Sequence, residues 1–242
     1  MKAILLAAGR GERMRPLTDT CPKPLLKVRG KPLIEWHLDA LARAGVRDVV
    51  INTAWLEAQI VAALGDGARF GLHIAYSMEG RDHGGALETA GGLKKALPLL
   101  MQGEREDSAA GDDACFWYVA ADVFAPGFAF DRRDVEAFLH SSELARLWMA
   151  PNPPQHPFGD FALDRGLLVP GLDGERLTWS GIGLFRPAFV SELMAGLASG
   201  SAARLRPCLD SAIAQGRLGG VPLATPWADV GTPERLAALQ AA

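Results

Sequence analysis

The stretch Leu6-Ala7-Ala8-Gly9-Arg10-Gly11-Glu12-Arg13-Met14-Arg15-Pro16-Leu17-Thr18 decides how this chain is read. It comes after a short apolar run, Ala3 to Ala7, and carries nothing bulkier than a methyl group at Ala7 and Ala8. Small residues and glycine let backbone N–H groups come close to phosphate oxygens, forming an anion-binding concavity. Arg10, Arg13 and Arg15 add guanidinium groups, whose planar forks suit phosphate. Two other phosphate loops are excluded. A Walker A loop needs G-x-x-x-x-G-K-[ST], and a dinucleotide fingerprint needs a third glycine where Met14 stands. A bare G-x-G also describes a surface turn with solvated arginines, so the residues from Cys21 onward decide between the two.

Those residues are Cys21-Pro22-Lys23-Pro24-Leu25-Leu26, then Gly30-Lys31-Pro32-Leu33-Ile34. A lysine between two prolines is expected on a stiff, extended backbone, its ammonium presented at a defined place. Outward from this core, short apolar runs alternate with helix-period segments, as in a mostly parallel sheet covered by helices. The spacing predicts strands over Ala3–Ala7, Val46–Asn52, Leu72–Tyr76 and Cys115–Ala120. It predicts helices over Leu33–Ala44, Trp55–Leu64 and Leu87–Leu97, the last ended by Pro98. Gln102 to Ala114 is polar and acidic and reads as a solvated loop. From Pro151, prolines, glycines and short strands (around Phe161, Leu167 and Leu177 to Phe185) dominate, before helices return near Pro187 and Pro207. We expect one domain, 1–242, with a nucleotide-binding lobe (1–150) and a smaller lobe (151–242) packed on it.

The totals narrow the class. With 25 Lys+Arg against 28 Asp+Glu the formal charge is -3, which argues against a nucleic-acid partner. No apolar run has the length of a bilayer span, and the first residues read as a strand rather than a signal peptide. Cys21, Cys115 and Cys208 are odd in number and far apart. They form neither a disulfide framework nor a zinc site, which fits a reducing cytoplasm. His37, His73, His83, His140 and His156 show no metal-ligand spacing. Nothing here sets an oligomeric state.

The motifs L-A-A-G-x-G-x-R-M-x-P-L-T, P-K-P-L and G-x-P-L-I, in this order over some thirty residues, resemble the signature of the sugar-1-phosphate nucleotidyltransferases. That resemblance implies an α/β fold of Rossmann-like type, with a mixed, mostly parallel sheet and helices on both faces. It implies a nucleoside triphosphate and a sugar 1-phosphate as partners, and Mg²⁺ held by two aspartates at strand ends. Asp122, in Val119-Ala120-Ala121-Asp122-Val123, and Asp229, in Trp227-Ala228-Asp229-Val230-Gly231-Thr232, supply them. Alone, Asp122 reads as a strand-end turn residue and Asp229 as a helix cap. The family's closing motif continues through Pro233-Glu234-Arg235-Leu236 and favours the functional reading. Where the family has Gly-Asp this chain has Ala121-Asp122, and a methyl there is expected to narrow the pocket.

The resemblance carries roles over residue by residue. Arg13 and the amides of Ala7, Ala8, Gly9, Gly11 and Glu12 are expected to hold the nucleotide phosphates. Lys23 faces the α-phosphate and the sugar phosphate. Gly85, Leu87, Thr89 and Gly91 lie where base and ribose should rest, and Asp160, Ser180 and Gly181 are candidates for the sugar. Arg13, Lys23, Asp122 and Asp229 form the catalytic set.

Further stretches resemble the uridylyltransferases acting on N-acetylmuramate 1-phosphate in cell-wall recycling. Among them are Ala54-Trp55-Leu56, Glu79-Gly80, Leu87-Glu88-Thr89, Asn152-Pro153 with His156, and Gly159-Asp160-Phe161. Arg81 to Ala86 lengthens the loop at the place where related enzymes read the base. Within the family the alternative substrate is glucose 1-phosphate or another hexose 1-phosphate, and two other classes compete: a nucleotide-sugar-binding module without turnover, and a small-molecule kinase. Retention of all four catalytic positions argues against the first, and the missing Walker A loop against the second.

Overall fold

The computed structural model describes residues 1–102, 115–171 and 176–241. The first half runs β1 (Lys2–Leu6), α1 (Leu17–Thr20), β2 (Lys27–Val28), β3 (Lys31–Pro32), α2 (Leu33–Arg43), β4 (Asp48–Thr53), α3 (Glu57–Leu64), β5 (His73–Met78), α4 (Glu79–His83), α5 (Glu88–Met101) and β6 (Phe116–Ala120). Next come β7 (Val123–Phe124), α6 (Arg132–Leu139), β8 (Ala145–Ala150), β9 (Phe161–Asp164), β10 (Leu167–Val169) and β11 (Arg176–Phe185). The chain closes with α7 (Pro187–Leu193), α8 (Arg206–Ala214), β12 (Leu218–Pro222), β13 (Ala228–Asp229) and α9 (Pro233–Ala241).

Nine strands form one sheet in the order β5-β4-β1-β6-β11-β8-β12-β10-β9. A central parallel strand is covered on both faces and reads as a continuous apolar run, and β1 obeys this: Ala3, Ile4 and Leu5 are all fully buried. The two-residue period then sorts side chains between two cores. Ala3, Leu5, Val49, Ile51, Trp117 and Val119 meet Ile34, Leu38 and Leu41 of α2 on one face. Ile4, Val50, Phe116 and Tyr118 meet Ala90, Leu93, Ala96 and Leu100 of α5 on the other. Strands β5, β4, β1 and β6 are mutually parallel. Beyond them β11 enters antiparallel to both β6 and β8, so the parallel character is concentrated in the first half.

Three local expectations are corrected. Helix α5 does not stop at Pro98 but continues to Met101. Proline removes one backbone donor near the helix end, while the turn beyond it buries Leu100 in the core. Arg81, Asp82 and His83, the first half of the stretch Arg81 to Ala86 read as a lengthened loop, belong to the short helix α4. Lys23 opens a 3-10 turn with Pro24 and Leu25, not an extended segment. Of the loop expected over Gln102 to Ala114, all but Gln102 lies outside the described residues. Among the described residues no helix is long and apolar enough to cross a membrane.

Candidate active site

The loop after β1 opens at the carboxyl edge of the parallel strands, where open α/β sheets place their ligands. Residues Leu6 to Arg13, with Lys23, Asn52, Ala86, Glu88, Thr89, Tyr118, Ala120 and Asp122, line a cavity of about 540 Å³. Gly11 is required here twice over. Its φ of 69° is left-handed, and a Cβ would lie 3.1 Å from the Thr18 methyl and 3.3 Å from the Lys23 stem. The Thr18 hydroxyl donates to the Gly11 carbonyl at 2.9 Å and closes the loop. Met14, where a dinucleotide loop would carry glycine, is fully buried in a third apolar cluster with Leu33, Phe124 and Val230.

The three arginines of the loop are not equivalent. Arg10 pairs with Glu12 at 3.1 Å, and Arg15 with Asp19 at 2.8 Å. Arg13 is exposed and lines the cavity. Of the three arginines it alone has no carboxylate partner among the described residues. Lys23 sits across from it with its side chain only 8% exposed, its ammonium donating to Asp122 Oδ2 at 2.6 Å.

Asp122 comes after β6 and leads into β7, which pairs antiparallel with β13 and brings Asp229 opposite Val123. The Val230 N–H donates to the Asp122 carbonyl at 3.2 Å. From behind, His37 of α2 is held against the Val123 carbonyl at 2.8 Å. Burial pushes that imidazole down to about 4, so it is neutral and donates from Nε2. Arg235 donates to the Asp229 carboxylate. A Cβ at Gly231 would come within 2.8 Å of that guanidinium and 2.9 Å of the carboxylate, so glycine leaves room for the pair. Ala121 is corrected: it is fully buried in the core on the α2 side, so its methyl does not narrow the pocket.

A second cavity, about 310 Å³, shares Ala120 and Asp122 with the first and is further lined by Asp160, Trp179, Ser180, Gly181, Trp227 and Asp229. Here β11 shifts register against β8 between Trp179 and Gly183. Gly181, at φ 80°, sits so close to the end of β6 that a Cβ would lie 2.8 Å from the Ala120 methyl. A bulge of this kind re-aims backbone and side chains toward a site. Asp160 accepts from the Trp179 N–H at 2.8 Å and faces His156 at 3.2 Å. Ser180 is fully buried.

The base and ribose positions divide. Thr89 lines the first cavity, with Ala86 and Glu88 beside it, whereas Gly85, Leu87 and Gly91 do not. Leu87 and Gly91 are committed elsewhere. The Leu87 N–H donates to Glu79 Oε2 at 2.7 Å, and the Gly91 N–H to the Ala203 carbonyl at 3.3 Å. A Cβ at Gly91 would collide with the Ser201 carbonyl, so this glycine serves helix packing.

One assembly escaped the sequence reading. Asn52, near the end of β4, accepts from the Ala7 N–H at 2.7 Å, so that amide, expected to hold phosphate, is committed to a side chain instead, and Asn52 donates to Glu79 Oε1 at 2.7 Å. Glu79 is fully buried, and its other oxygen takes the Leu87 N–H. This Asn–Glu bracket ties the phosphate loop to the turn before α5. Its members stood in the sequence as a polar residue, Asn52, near the end of a buried strand and as Glu79 in a family-like stretch, with nothing to show that the two meet. Burial pushes the Glu79 carboxyl up, against the hydrogen bonds that favour its charge.

The fold, the loop and the pair of strand-end aspartates define a nucleotide-handling α/β protein, and residues 2–137 match the nucleotidyl transferase family. The chain belongs to that family. It is 47% identical, over 100% of its length and 97% of the relative's, to the N-acetylmuramate alpha-1-phosphate uridylyltransferase of Neisseria meningitidis serogroup B. It is 34% identical to the protein of the same name from Caulobacter vibrioides, over 99% of this chain and 95% of the relative. Among solved structures, a Bacillus anthracis protein assigned as a glucose-1-phosphate thymidylyltransferase, crystallised with a sucrose, superposes with a TM-score of 0.81. The match covers 100% of this chain and 94% of that one at 22% identity, a likeness of fold.

Proposed function

We propose that this protein transfers the uridylyl group of UTP to N-acetylmuramate 1-phosphate, releasing pyrophosphate. The observation that carries the reading is the shared wall of the two cavities. Asp122 and Ala120 border both, so a triphosphate in the first and a sugar phosphate in the second meet beside one carboxylate. The names of the full-length relatives supply the substrate pair.

The nucleophile is an oxygen of the sugar phosphate, anionic near neutral pH, so no general base is needed. It attacks the α-phosphorus, and the bond to the leaving pyrophosphate breaks. The protein's contribution is positioning and charge neutralisation. Arg13 and the amides from Ala8 to Glu12 receive the pyrophosphate, and Lys23 brings an ammonium to the floor of the same cavity. Asp160 and the bulged Ser180-Gly181 backbone orient the sugar.

The donor set at Asp122 and Asp229 suits Mg²⁺. Among the described residues no cluster of three or more His, Cys, Asp or Glu forms a closed cage. Two carboxylates facing phosphate-sized space are what Mg²⁺ takes, with water and phosphate oxygens completing its shell. Asp122 and Asp229 would hold the ion, and its charge would neutralise phosphate oxygens of both substrates. We place the reaction in the cytoplasm, in keeping with three free cysteines. A pyrophosphate-release assay over a matrix of nucleoside triphosphates and sugar 1-phosphates tests the proposal. Highest turnover is expected with UTP and N-acetylmuramate 1-phosphate, and nucleoside diphosphate without pyrophosphate would refute transfer.

A further inference from the structure

We propose that His156, braced by Asp160, receives the carboxylate of an acidic sugar substituent in the second cavity. The inference rests on the substrate pair proposed for this site. N-acetylmuramate differs from N-acetylglucosamine by a lactyl ether, which adds one carboxylate. Asp122 and Asp229 on that cavity are paired with Lys23 and Arg235, whereas Asp160, which also borders it, has no Lys or Arg partner among the described residues, so an added sugar carboxylate needs a donor of its own.

The wall offers few donors. None of the lining residues is Lys or Arg. The Trp179 indole N–H is committed to the Ile182 carbonyl at 3.0 Å, and that of Trp227 to the Ser180 carbonyl at 2.8 Å. The Thr178 hydroxyl donates to Asn152 Oδ1 at 2.8 Å. Ser180 is fully buried, its oxygen accepting from the Ile182 N–H at 3.3 Å. There remain the exposed amide of Gln155 and the half-exposed imidazole of His156. Of these only the imidazole can carry positive charge.

The surroundings of His156 suit the task. Its Nε2 faces Asp160 Oδ1 at 3.2 Å, which leaves Nδ1 for a ligand. Asp160 is itself fixed: its second oxygen accepts from the Trp179 N–H at 2.8 Å, and its own N–H donates to the Leu177 carbonyl at 2.7 Å. The His156 backbone is pinned by its N–H to the Pro153 carbonyl at 2.9 Å and by the Gly159 N–H to its own carbonyl at 3.2 Å. A ring with N–H on both nitrogens can donate to two carboxylates at once, one on each side. His156 thus bridges two carboxylates, one resident and one brought by the sugar.

The test compares kcat/KM, with UTP, for N-acetylmuramate 1-phosphate and N-acetylglucosamine 1-phosphate in wild type, His156→Ala and His156→Lys. The preference for the acidic sugar should fall about tenfold or more in His156→Ala and return at least in part in His156→Lys, which restores a cation. A preference in His156→Ala within about threefold of wild type, with N-acetylmuramate 1-phosphate still turned over, overturns this inference alone. A wild-type protein that releases no pyrophosphate with any sugar 1-phosphate overturns the transfer reading, and the inference with it.

Discussion

Lys23 and Asp122 set the energetics of the site at the residue scale. A charge-assisted hydrogen bond contributes roughly 1.5–3 kcal/mol, so Lys23→Ala should lower kcat/KM at least about tenfold. Asp122→Asn and Asp229→Asn should each lose most turnover at saturating Mg²⁺, since each removes a carboxylate while nearly keeping its shape. Their stabilities should differ. Asp122→Asn strands an ammonium whose side chain is only 8% exposed, whereas Asp229→Asn releases an arginine that is 24% exposed. Removing one partner of a buried pair is the costlier change, so thermal denaturation should rank Asp122→Asn below Asp229→Asn. Equal melting temperatures would mean that water reaches Lys23. The sequence placed this lysine between prolines but did not show its burial, because the partner that encloses it lies 99 residues away.

His37 makes a pH prediction at the same scale. Its folded pKa is lowered from 6.5 to about 4 by burial, so between those values the unfolded chain binds the proton and the folded chain does not. The stabilisation is complete above the unfolded value and is lost as pH falls toward 4, a change on the order of 3 kcal/mol. The melting temperature should therefore drop between pH 6.5 and pH 4, and His37→Gln should flatten that slope. An unchanged slope in the variant would show that other groups carry it.

At the scale of elements, the phosphate loop and the turn before α5 act as one unit through the Asn52–Glu79 bracket. Gly92 packs directly on it: a Cβ would lie 2.5 Å from Glu79 Oε1 and 2.6 Å from Asn52 Nδ2. Gly92→Ala should push the bracket apart, at about 1–3 kcal/mol of stability for an overpacked interior, and raise KM for the nucleotide more than for the sugar phosphate. Steady-state kinetics with each substrate varied in turn checks this. Most strands and helices were legible because their apolar period comes from the two-face packing of the sheet. The run of α5 through Pro98 and the helix over residues 79–83 were not. Both depend on tertiary contacts, the burial of Leu100 and of Glu79, which override local propensity. Which of the positions expected for base and ribose border the cavity was not legible for a related reason. Whether Gly91 faces ligand or neighbour is decided by residues 201–203, far along the chain.

For the whole molecule, the two cavities lie on either side of the junction between β6 and β11, so a ligand that spans both should brace the sheet across it. At equal ligand concentration, Mg²⁺ with the nucleotide sugar should raise the melting temperature more than Mg²⁺ with UMP, because the ligand that fills both cavities binds the folded state more tightly. A chelator should reverse the larger part of the gain in wild type and have little effect in Asp229→Asn. A chelator-insensitive shift in wild type would remove Asp122 and Asp229 from the metal centre.

The two-residue ladder between β7 and β13 has a temporal side. It joins Phe124 to Ala228 and Val123 to Asp229, partners that leave the ribosome more than a hundred residues apart. The phosphate loop, Lys23 and Asp122 are all synthesised before the strand that brings the second carboxylate. The order of synthesis therefore puts every other member of the proposed catalytic set ahead of Asp229, so in the proposed mechanism the second metal ligand is the last part of the site to exist.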